Sequence, residues 1–244
     1  MDMEDLIRQI TDSVLAKLNE TQGYDPGERT AVFSERRGED PVRIYDLTRM
    51  EANLTLEEAR NAVTLASSRG YRSICLPQWL VAPASEIARG NTLLATIVGL
   101  PGGKAMTQAK YAETKIAIQN GVDVLVIPMN MDMIAEGKRD EARLDLMNAS
   151  IPADGTNSIV IAMVEIGDVP EDRIFDAIAI AESAKADEVR LSCIVSGKAA
   201  EPEMIGRFIR KSGLPVSVVG GISEDMFNSI TACGVCGIGA SFER

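Results

Sequence analysis

The side chains that could carry out chemistry stand at the predicted carboxyl ends of strands. Asp46, Glu165 and Arg190 are among the ionisable groups at these positions. Two carboxyl groups can exchange protons with a substrate, so Asp46 and Glu165 form a candidate acid–base pair. Glu165 is also a candidate counter-ion for Arg190, because a buried guanidinium without a counter-ion is unfavourable. Of these two roles for Glu165, we expect the ion pair.

Several kinds of catalysis are excluded because the chain contains no histidine. Ser–His and Cys–His nucleophile pairs and imidazole proton transfer are therefore ruled out. Four cysteines are present, and Cys233 and Cys236 have the CxxC spacing of redox and zinc sites. Because no second CxxC and no histidine accompany them, we expect reduced, buried thiols with no metal and no other cofactor.

Length and charge restrict the class of protein. A chain of 244 residues with 45% apolar content suits one large α/β domain. A net charge of −11 argues against a general nucleic-acid surface, although a local basic pocket for one phosphate stays open. No apolar run is long enough to span a bilayer, and the acidic start is unlike a secretory signal. We expect a soluble, cytoplasmic protein.

An alternation of strands and helices begins at residue 42 and continues to the end. Eight strands are predicted at about 43–48, 73–77, 94–100, 123–129, 158–166, 188–194, 215–220 and 236–240. Helices lie between them, for example 55–68, 107–119 and 170–185. Continuously apolar strands are typical of parallel sheets covered on both faces, so residues 42–244 are predicted to form a (β/α)₈ TIM barrel. The end at Arg244 leaves no room for a final outer helix.

Glycine-bearing turns after the last two predicted strands are candidates for phosphate binding. Gly220 and Gly221 lie at the end of strand seven, and Gly239 and Ser241 lie at the end of strand eight. Backbone N–H groups of such turns, and of the helix that follows, commonly hold a phosphate in barrels of this kind. Lys198 is a candidate additional partner. The alternative is that these glycines serve tight turns and close packing alone.

The first 20 residues form a separate unit. Apolar residues recur at helical spacing over residues 4–19, and a polar linker with glycine and proline occupies residues 21–41. This amphipathic helix resembles the targeting peptides of enzymes packaged in bacterial microcompartments. The resemblance implies a shell protein as partner and the compartment interior as location. The alternative is that the helix packs on its own barrel, in the gap left by the missing outer helix.

Short motifs over about residues 43–241 resemble those of the deoxyribose-phosphate aldolase family. They are Tyr45-Asp-Leu-Thr48, Ser73-Ile-Cys75, Gly99-Leu-Pro-Gly-Gly103 with Lys110, Gly121-Val-Asp-Val, Val164-Glu-Ile-Gly167, Val189-Arg-Leu-Ser192, Glu201-Pro-Glu203, Gly220-Gly221-Ile and Ile238-Gly-Ala-Ser241. The resemblance implies a class I aldolase, which joins acetaldehyde to glyceraldehyde 3-phosphate through an imine on a lysine. It also implies a small phosphorylated sugar or aldehyde as ligand.

The catalytic residues implied by the resemblance are only partly present. Asp46 and the glycine turns match the family pattern, whereas the imine-forming lysine falls on Arg190. The second lysine of the family falls on Ser217, and the proton-transferring aspartate falls at about Val126. Arginine stays protonated and forms no imine. Lys104 and Lys198 are the candidates for a relocated nucleophile.

Three functions therefore stay open. One is aldol cleavage of 2-deoxyribose 5-phosphate with rearranged catalytic groups. Another is a non-catalytic homologue that binds a ligand or serves in assembly. The third is a sugar-phosphate isomerase or epimerase using Glu165 and Asp46. In each case we expect a homo-oligomer, and we expect Arg190 to point into the mouth at the carboxyl end of the barrel.

Overall fold

The computed structural model describes residues 44–240 with the exception of residues 88 and 168. Within that part of the chain, eight parallel strands follow one another in sequence order around a closed barrel. The barrel closes between the first and last strands, where Asp46 lies opposite Gly239. The predicted TIM barrel is therefore confirmed. The predicted helix over residues 4–19, the linker over 21–41 and the end of the chain after Ala240 lie outside the described residues.

The strands are β1 (Tyr45–Thr48), β2 (Ser73–Cys75), β3 (Leu93–Ile97), β4 (Val124–Pro128), β5 (Ile159–Glu165), β6 (Glu188–Ser192), β7 (Val216–Val219) and β8 (Gly237–Ala240). The helices are α1 (Leu56–Arg69), α2 (Gln78–Ser85), α3 (Thr107–Gln119), α4 (Met131–Ala135), α5 (Arg139–Ser150), α6 (Glu171–Ser183), α7 (Pro202–Lys211) and α8 (Glu224–Ala232), with a 3₁₀ turn at Ile151–Ala153. None of these helices is long and apolar enough to cross a membrane.

The predicted boundaries agree with the structure most closely where local signals are strong. Helix α3 has the predicted bounds, and α1 begins after Thr55, whose side chain forms a capping box with Glu58. The largest difference among the strands is at β3, which was predicted over 94–100 and ends at Ile97. The chain turns away at Gly99, where φ is +79°, so the apolar run continues beyond the strand into the loop.

Two apolar layers surround the sheet. The larger one lies between the barrel and its helices and includes Val189 and Leu191 of β6. The smaller one lies inside the barrel and includes Val126, Ile161 and Met163. This inner layer comes mainly from β3, β4 and β5, while β1, β6 and β7 place polar side chains inside the barrel. The barrel interior is therefore apolar on one side and ionic on the other.

The loop after β3 is pressed against the end of β4 at Gly103. Its N–H donates to the carbonyl oxygen of Gly99 over 3.1 Å, and its φ is +70°. A Cβ atom at this position would lie 2.1 Å from the carbonyl oxygen of Pro128. Glycine is therefore required here both by the backbone conformation and by the contact with β4.

We expect Gly103→Ala to lower the free energy of unfolding far more than Gly137→Ala. Both glycines have positive φ, which costs an alanine about 1–2 kcal/mol. At Gly137 a Cβ would meet nothing within 4 Å, so this variant reports the cost of the conformation alone. Urea unfolding of both variants measures the difference, and equal losses of stability would contradict the close contact with Pro128.

Candidate functional site

Arg190 lies inside the barrel and reaches across it. Its side chain is 3% exposed, and its Nη2 donates to Oδ2 of Asp46 over 2.7 Å. Its Nε donates to Oγ of Ser217 on the neighbouring strand β7 over 3.0 Å. Successive side chains of a strand point to opposite faces, so Glu188 and Arg190 face inward while Val189 packs in the outer layer. The guanidinium is thus fixed by three strands.

A second arginine, Arg72, occupies the same interior space. It lies directly before β2, and its Nε donates to Oδ1 of Asp46 over 2.8 Å. Its Nη1 donates to Oε2 of Glu188 over 2.9 Å. Gly237 leaves room for this side chain, because a Cβ there would lie 2.2 Å from Nη2 of Arg72. We call Asp46, Arg72, Glu188 and Arg190 the interior ion cluster.

The charges of the interior ion cluster balance. Two guanidinium groups face two carboxylates, and all four side chains are at most 3% exposed. Hydroxyl groups complete the hydrogen bonding: Ser73 donates to Asp46 over 2.6 Å, and Ser217 donates to Glu188. Ionised groups withdrawn from water require such paired and hydrogen-bonded surroundings. The cluster therefore meets the conditions for keeping four charges inside a barrel.

The pKa of Asp46 reflects two opposing effects. Burial disfavours the ionised carboxylate, but the attraction of Arg72 and Arg190 and the hydrogen bonds outweigh it, so the pKa lies below its usual value. A carboxyl group with a lowered pKa stabilises the fold above its unfolded pKa of about 3.9. That stabilisation is lost as the pH falls through the lower, folded-state pKa. At neutral pH Asp46 is therefore ionised, and its carboxylate is occupied by the two arginines.

The predicted ion pair between Glu165 and Arg190 is wrong. In the register of β5 and β6, Arg190 lies beside Met163, and Glu165 lies beside Ser192, nearer the carboxyl end. Glu165 accepts a hydrogen bond from Oγ of Ser192 over 2.8 Å and from the backbone N–H of Ser196 over 3.3 Å. Its carboxylate therefore holds the loop after β6 in place, while Arg190 is neutralised by Asp46.

A cavity of about 680 Å³ opens at the carboxyl end of the barrel, which is within the usual range for small-molecule sites. We call it the mouth. Glu165, Ser192, Thr48 and Met163 are among its lining residues, but Asp46 and Arg190 are not. The expectation that Arg190 points into the mouth is therefore corrected: the side chain is inside the barrel but is held away from the cavity by its partners.

The two lysines considered as nucleophiles differ in position. Lys104 lines the mouth, and its Nζ lies 2.5 Å from Oδ2 of Asp132. Both side chains of this pair are more than half exposed. Lys198 is exposed in the loop after β6, where its N–H donates to Oγ of Ser196 over 3.3 Å, and it is not among the residues that line the mouth. Lys104 is therefore the better placed of the two for contact with a ligand.

The glycines predicted to bind phosphate are partly engaged in packing. Gly220 and Gly239 line the mouth, but the N–H of Gly220 donates to the carbonyl oxygen of Gly239 over 3.3 Å. A Cβ at Gly221 would lie 2.0 Å from the carbonyl oxygen of Lys198. The hydrogen bond made by Gly220 and the close packing at Gly221 therefore explain these two glycines without a ligand. Phosphate binding stays a prediction. Ser241 lies outside the described residues.

The helix after this turn offers limited help to an anion. Helix α8 has Glu224 and Asp225 in its first turn. These carboxylates interact favourably with the positive end of the helix dipole and repel a second negative charge at the same place. Any phosphate here would depend on the strand-end backbone more than on the helix.

The cysteines have surroundings that disfavour thiolates. Burial raises the pKa of Cys75 to about 12 and that of Cys193 to about 11. Burial raises the pKa of Cys236 further and also that of Cys233, which is partly exposed. Within residues 44–240, no group of three or more histidine, cysteine, aspartate or glutamate side chains could hold a metal ion. Cys236 lies directly before β8, and its sulfur is 3.7 Å from Nη1 of Arg72. Its raised pKa keeps this thiol protonated.

Two members of the interior ion cluster were missed from the sequence. Arg72 stands outside any predicted strand end, and Glu188 stands at the beginning of β6 instead of its carboxyl end. A signal for Glu188 was present, because Glu188 and Arg190 are two residues apart and must share one strand face. No comparable signal marks Arg72, since its side chain enters the barrel from the turn before β2.

The chain is a TIM barrel with a cavity at the carboxyl end of its strands, which is where TIM-barrel enzymes carry their active sites. No protein-family model matches the chain. A curated relative, deoxyribose-phosphate aldolase 2 of Staphylococcus aureus, is 28% identical over 204 residues, which cover 82% of this chain and 92% of the relative. This similarity supports a relationship of the chain to the deoxyribose-phosphate aldolase family.

Solved structures share the fold. That of QR15, an aldolase, has a TM-score of 0.78 at 23% identity, and the match covers 84% of this chain and 92% of QR15. The deoxyribose phosphate aldolase of Aeropyrum pernix, described as tetrameric, has a TM-score of 0.75 at 21% identity, with 89% and 94% covered. At these identities the structures establish the barrel architecture.

We expect Arg72→Met to lower the free energy of unfolding by about 3–5 kcal/mol, because it leaves two buried carboxylates with a single arginine. The matched control is Arg207→Met, which removes an arginine that is 39% exposed and is paired with Glu171 and Glu203 on the surface. Such exposed pairs contribute at most about 1 kcal/mol. Urea unfolding at neutral pH compares the two variants. A loss for Arg72→Met as small as that of the control would show that the interior ion cluster is not needed for stability.

Proposed function

We propose that this chain is an aldolase relative that binds a small carbonyl compound, a sugar phosphate or an aldehyde, in the mouth without forming an imine on β6. The observation that carries the proposal is the placement of Arg190. Its guanidinium is bound to Asp46 and Ser217 in a charge-balanced interior. An arginine stays protonated and cannot attack a carbonyl group.

The other replaced positions support the same proposal. The family resemblance places a second lysine at Ser217 and a proton-transferring aspartate at Val126. Ser217 accepts a hydrogen bond from Arg190, and Val126 is 1% exposed in the apolar layer inside the barrel. Arg190 and its hydrogen-bonded partner Ser217 thus stand where the family resemblance places two lysines. Val126 stands where it places the proton-transferring aspartate.

The ligand class follows from the mouth and from the relatives. The Staphylococcus aureus relative is named as an aldolase of deoxyribose phosphate. In this chain Gly220, directly after β7, and Gly239, in β8, both line the mouth. We propose that a phosphate, where the ligand has one, lies at Gly220, Gly221, Gly239 and Ser241, near Lys198.

A second candidate is aldol cleavage with a relocated amine. The observation in its favour is that Lys104 lines the mouth beside Asp132, which is an acid–base partner within 2.5 Å. An isomerase that uses Glu165 with Asp46 is less well supported, because Asp46 is occupied by Arg72 and Arg190 and does not line the mouth.

We expect no imine adduct on β6 and no lysine that is labelled selectively. The protein is incubated with acetaldehyde and borohydride, and the labelled peptides are mapped by mass spectrometry. Surface amines such as Lys211 give the background level. Cleavage of 2-deoxyribose 5-phosphate should likewise not exceed the rate without protein, because the covalent route is missing. Labelling concentrated on Lys104, together with cleavage that Lys104→Ala abolishes, would replace this proposal by the second candidate.

We also propose that residues 4–19 target or assemble the protein, with a microcompartment shell protein or a second subunit as partner. Homo-oligomers fit the description of the Aeropyrum pernix structure as tetrameric. In the apolar layer outside the barrel, the ring of Tyr45 lies 4.7 Å from that of Tyr71 and 5.9 Å from that of Phe227. These three rings already cover part of the outer surface of the barrel.

We expect deletion of residues 1–20 to change barrel stability by less than about 1 kcal/mol, as befits a separable segment. Urea unfolding gives the stability, and sedimentation gives the assembly state of the full chain and the truncation. If the segment covers the barrel, the deletion exposes apolar surface at about 25 cal/mol per Å². A loss of several kcal/mol would therefore assign residues 1–20 to the barrel and overturn the targeting role.

A further inference from the structure

Large apolar side chains are exposed on one side of the ring of outer helices. Trp79, on α2, is 65% exposed, and Ile116, on α3, is 52% exposed. Met106, directly before α3, is 73% exposed. On the described helices α1, α6, α7 and α8, by contrast, no large apolar side chain is exposed. A concentration of exposed apolar side chains marks an interaction site in many soluble proteins.

Helices α2 and α3 lie side by side. Near the start of α2, Nε2 of Gln78 donates to Oε2 of Glu113 on α3 over 3.1 Å. At the other end, a Cβ atom at Gly121, just after α3, would lie 3.0 Å from Cβ of Ser85 on α2. The outward sides of the two helices therefore form one continuous surface.

The part of α3 that borders α2 presents an apolar stripe. Ala109, Ala112 and Ile116 are exposed and stand three and four residues apart, so they share one side of the helix. Ile116 is one turn from Glu113, which contacts α2. We call the exposed apolar residues of this surface the α2–α3 face; they are Trp79, Ala82, Met106, Ala109, Ala112 and Ile116.

The surface around the α2–α3 face carries little charge. Helix α2 has no charged residue, and Lys115 is the only exposed charged residue of α3. Each of α1, α5, α6, α7 and α8 has at least two exposed charged side chains, for example Glu224 and Asp225 on α8. The net charge of the whole chain is −11. Two copies of such an acidic chain repel each other, and the repulsion is weakest where their uncharged surfaces meet.

The residue types of the face are typical of protein–protein contacts. Tryptophan and methionine are enriched in interfaces, while lysine, glutamate and aspartate are depleted there. Trp79 is the only tryptophan of the chain. A nucleic acid or a charged peptide would find no ionic partner on α2 and only Lys115 exposed on α3. The face therefore suits a partner surface that is itself apolar and uncharged, and the same face of a second copy has both properties.

We infer that the α2–α3 face binds the same face of a second copy of this chain about a two-fold axis. In such a symmetric contact the same surface patch is used by both copies, so apolar residues pack on apolar residues. Trp79 of each copy is then withdrawn from water. This inference rests on the homo-oligomer of the proposed function and names its interface, whereas the proposed ligand does not depend on it.

The contact would also restrain one wall of the mouth. The loop after β3 contains Leu100, Gly102 and Lys104, which line the mouth, and it leads to Met106 on the α2–α3 face. A second copy that covers Met106 holds the α3 end of this loop in place. Assembly and the shape of the mouth are thereby connected through one short segment of the chain.

The test combines sedimentation velocity of the full chain at several concentrations with quenching of its single tryptophan by acrylamide. The full chain should sediment as a dimer or a larger even-numbered oligomer, with Trp79 protected from the quencher. Ile116→Glu places two carboxylates against each other in the symmetric contact, so it should weaken association about a hundredfold or more and expose Trp79. Circular dichroism checks that this variant is folded.

Two controls accompany this variant. Ile194→Glu makes the same change at an isoleucine that is 48% exposed in the loop after β6, away from the α2–α3 face, and should leave mass and quenching unchanged. Deletion of residues 1–20 should also leave both unchanged. If this deletion exposes Trp79 to acrylamide, residues 4–19 cover the face, and the inference is overturned.

The remaining outcomes separate the interface from the homo-oligomer. An oligomer that Ile116→Glu does not weaken has its interface elsewhere, which overturns the inference while the homo-oligomer of the proposed function stands. A full chain that is monomeric at every concentration overturns both, and the proposed ligand is then tested on the monomer.

Discussion

The structure depends on the neutralisation of four charges inside the barrel. Asp46 accepts hydrogen bonds from both Arg72 and Arg190, and Glu188 pairs with Arg72 from the other side. Removing one member leaves a buried charge without compensation, which is far more costly than the net gain from forming the pairs. The four residues are therefore mutually dependent, and so are the small residues that make room for them. Gly237 is one of these, because any Cβ there would overlap Arg72.

The interior ion cluster makes the inside of the barrel chemically different from the mouth. In a TIM barrel, the carboxyl ends of the strands normally supply the catalytic groups. Here Arg190 and Asp46 bind each other within the barrel, while the cavity at the strand ends is lined by Glu165, Ser192 and apolar side chains. Charge in the interior serves the fold, and the surface left for a ligand is largely apolar. The barrel fold is shared with solved aldolase structures, and Arg190 on β6 is occupied by Asp46 and Ser217.

The position of Glu165 along β5 decides which groups its carboxylate can bind. It stands two residues beyond the level of Met163, beside Ser192 and not beside Arg190. At that level it receives hydrogen bonds from the loop after β6, including the N–H of Ser196. Gly167 is needed in the same place, because a Cβ there would lie 1.7 Å from Oγ of Ser196. The carboxylate thereby fixes one wall of the mouth, including the apolar side chains that the wall presents.

The sequence by itself determined the barrel. Continuously apolar strands buried on both faces, glycine turns and the capping residues of α1 are local patterns, and they placed all eight strands of the described chain. The sequence also singled out Asp46, Glu165 and Arg190, but of these only Glu165 is the last residue of its strand. It did not determine their partners, because Asp46 and Arg190 are 144 residues apart and meet only when the barrel closes. Arg72 enters the interior from the turn before β2, and the buried Oγ1 of Thr48 makes no hydrogen bond. Both features depend on contacts between strands, so no local pattern in the sequence indicates them.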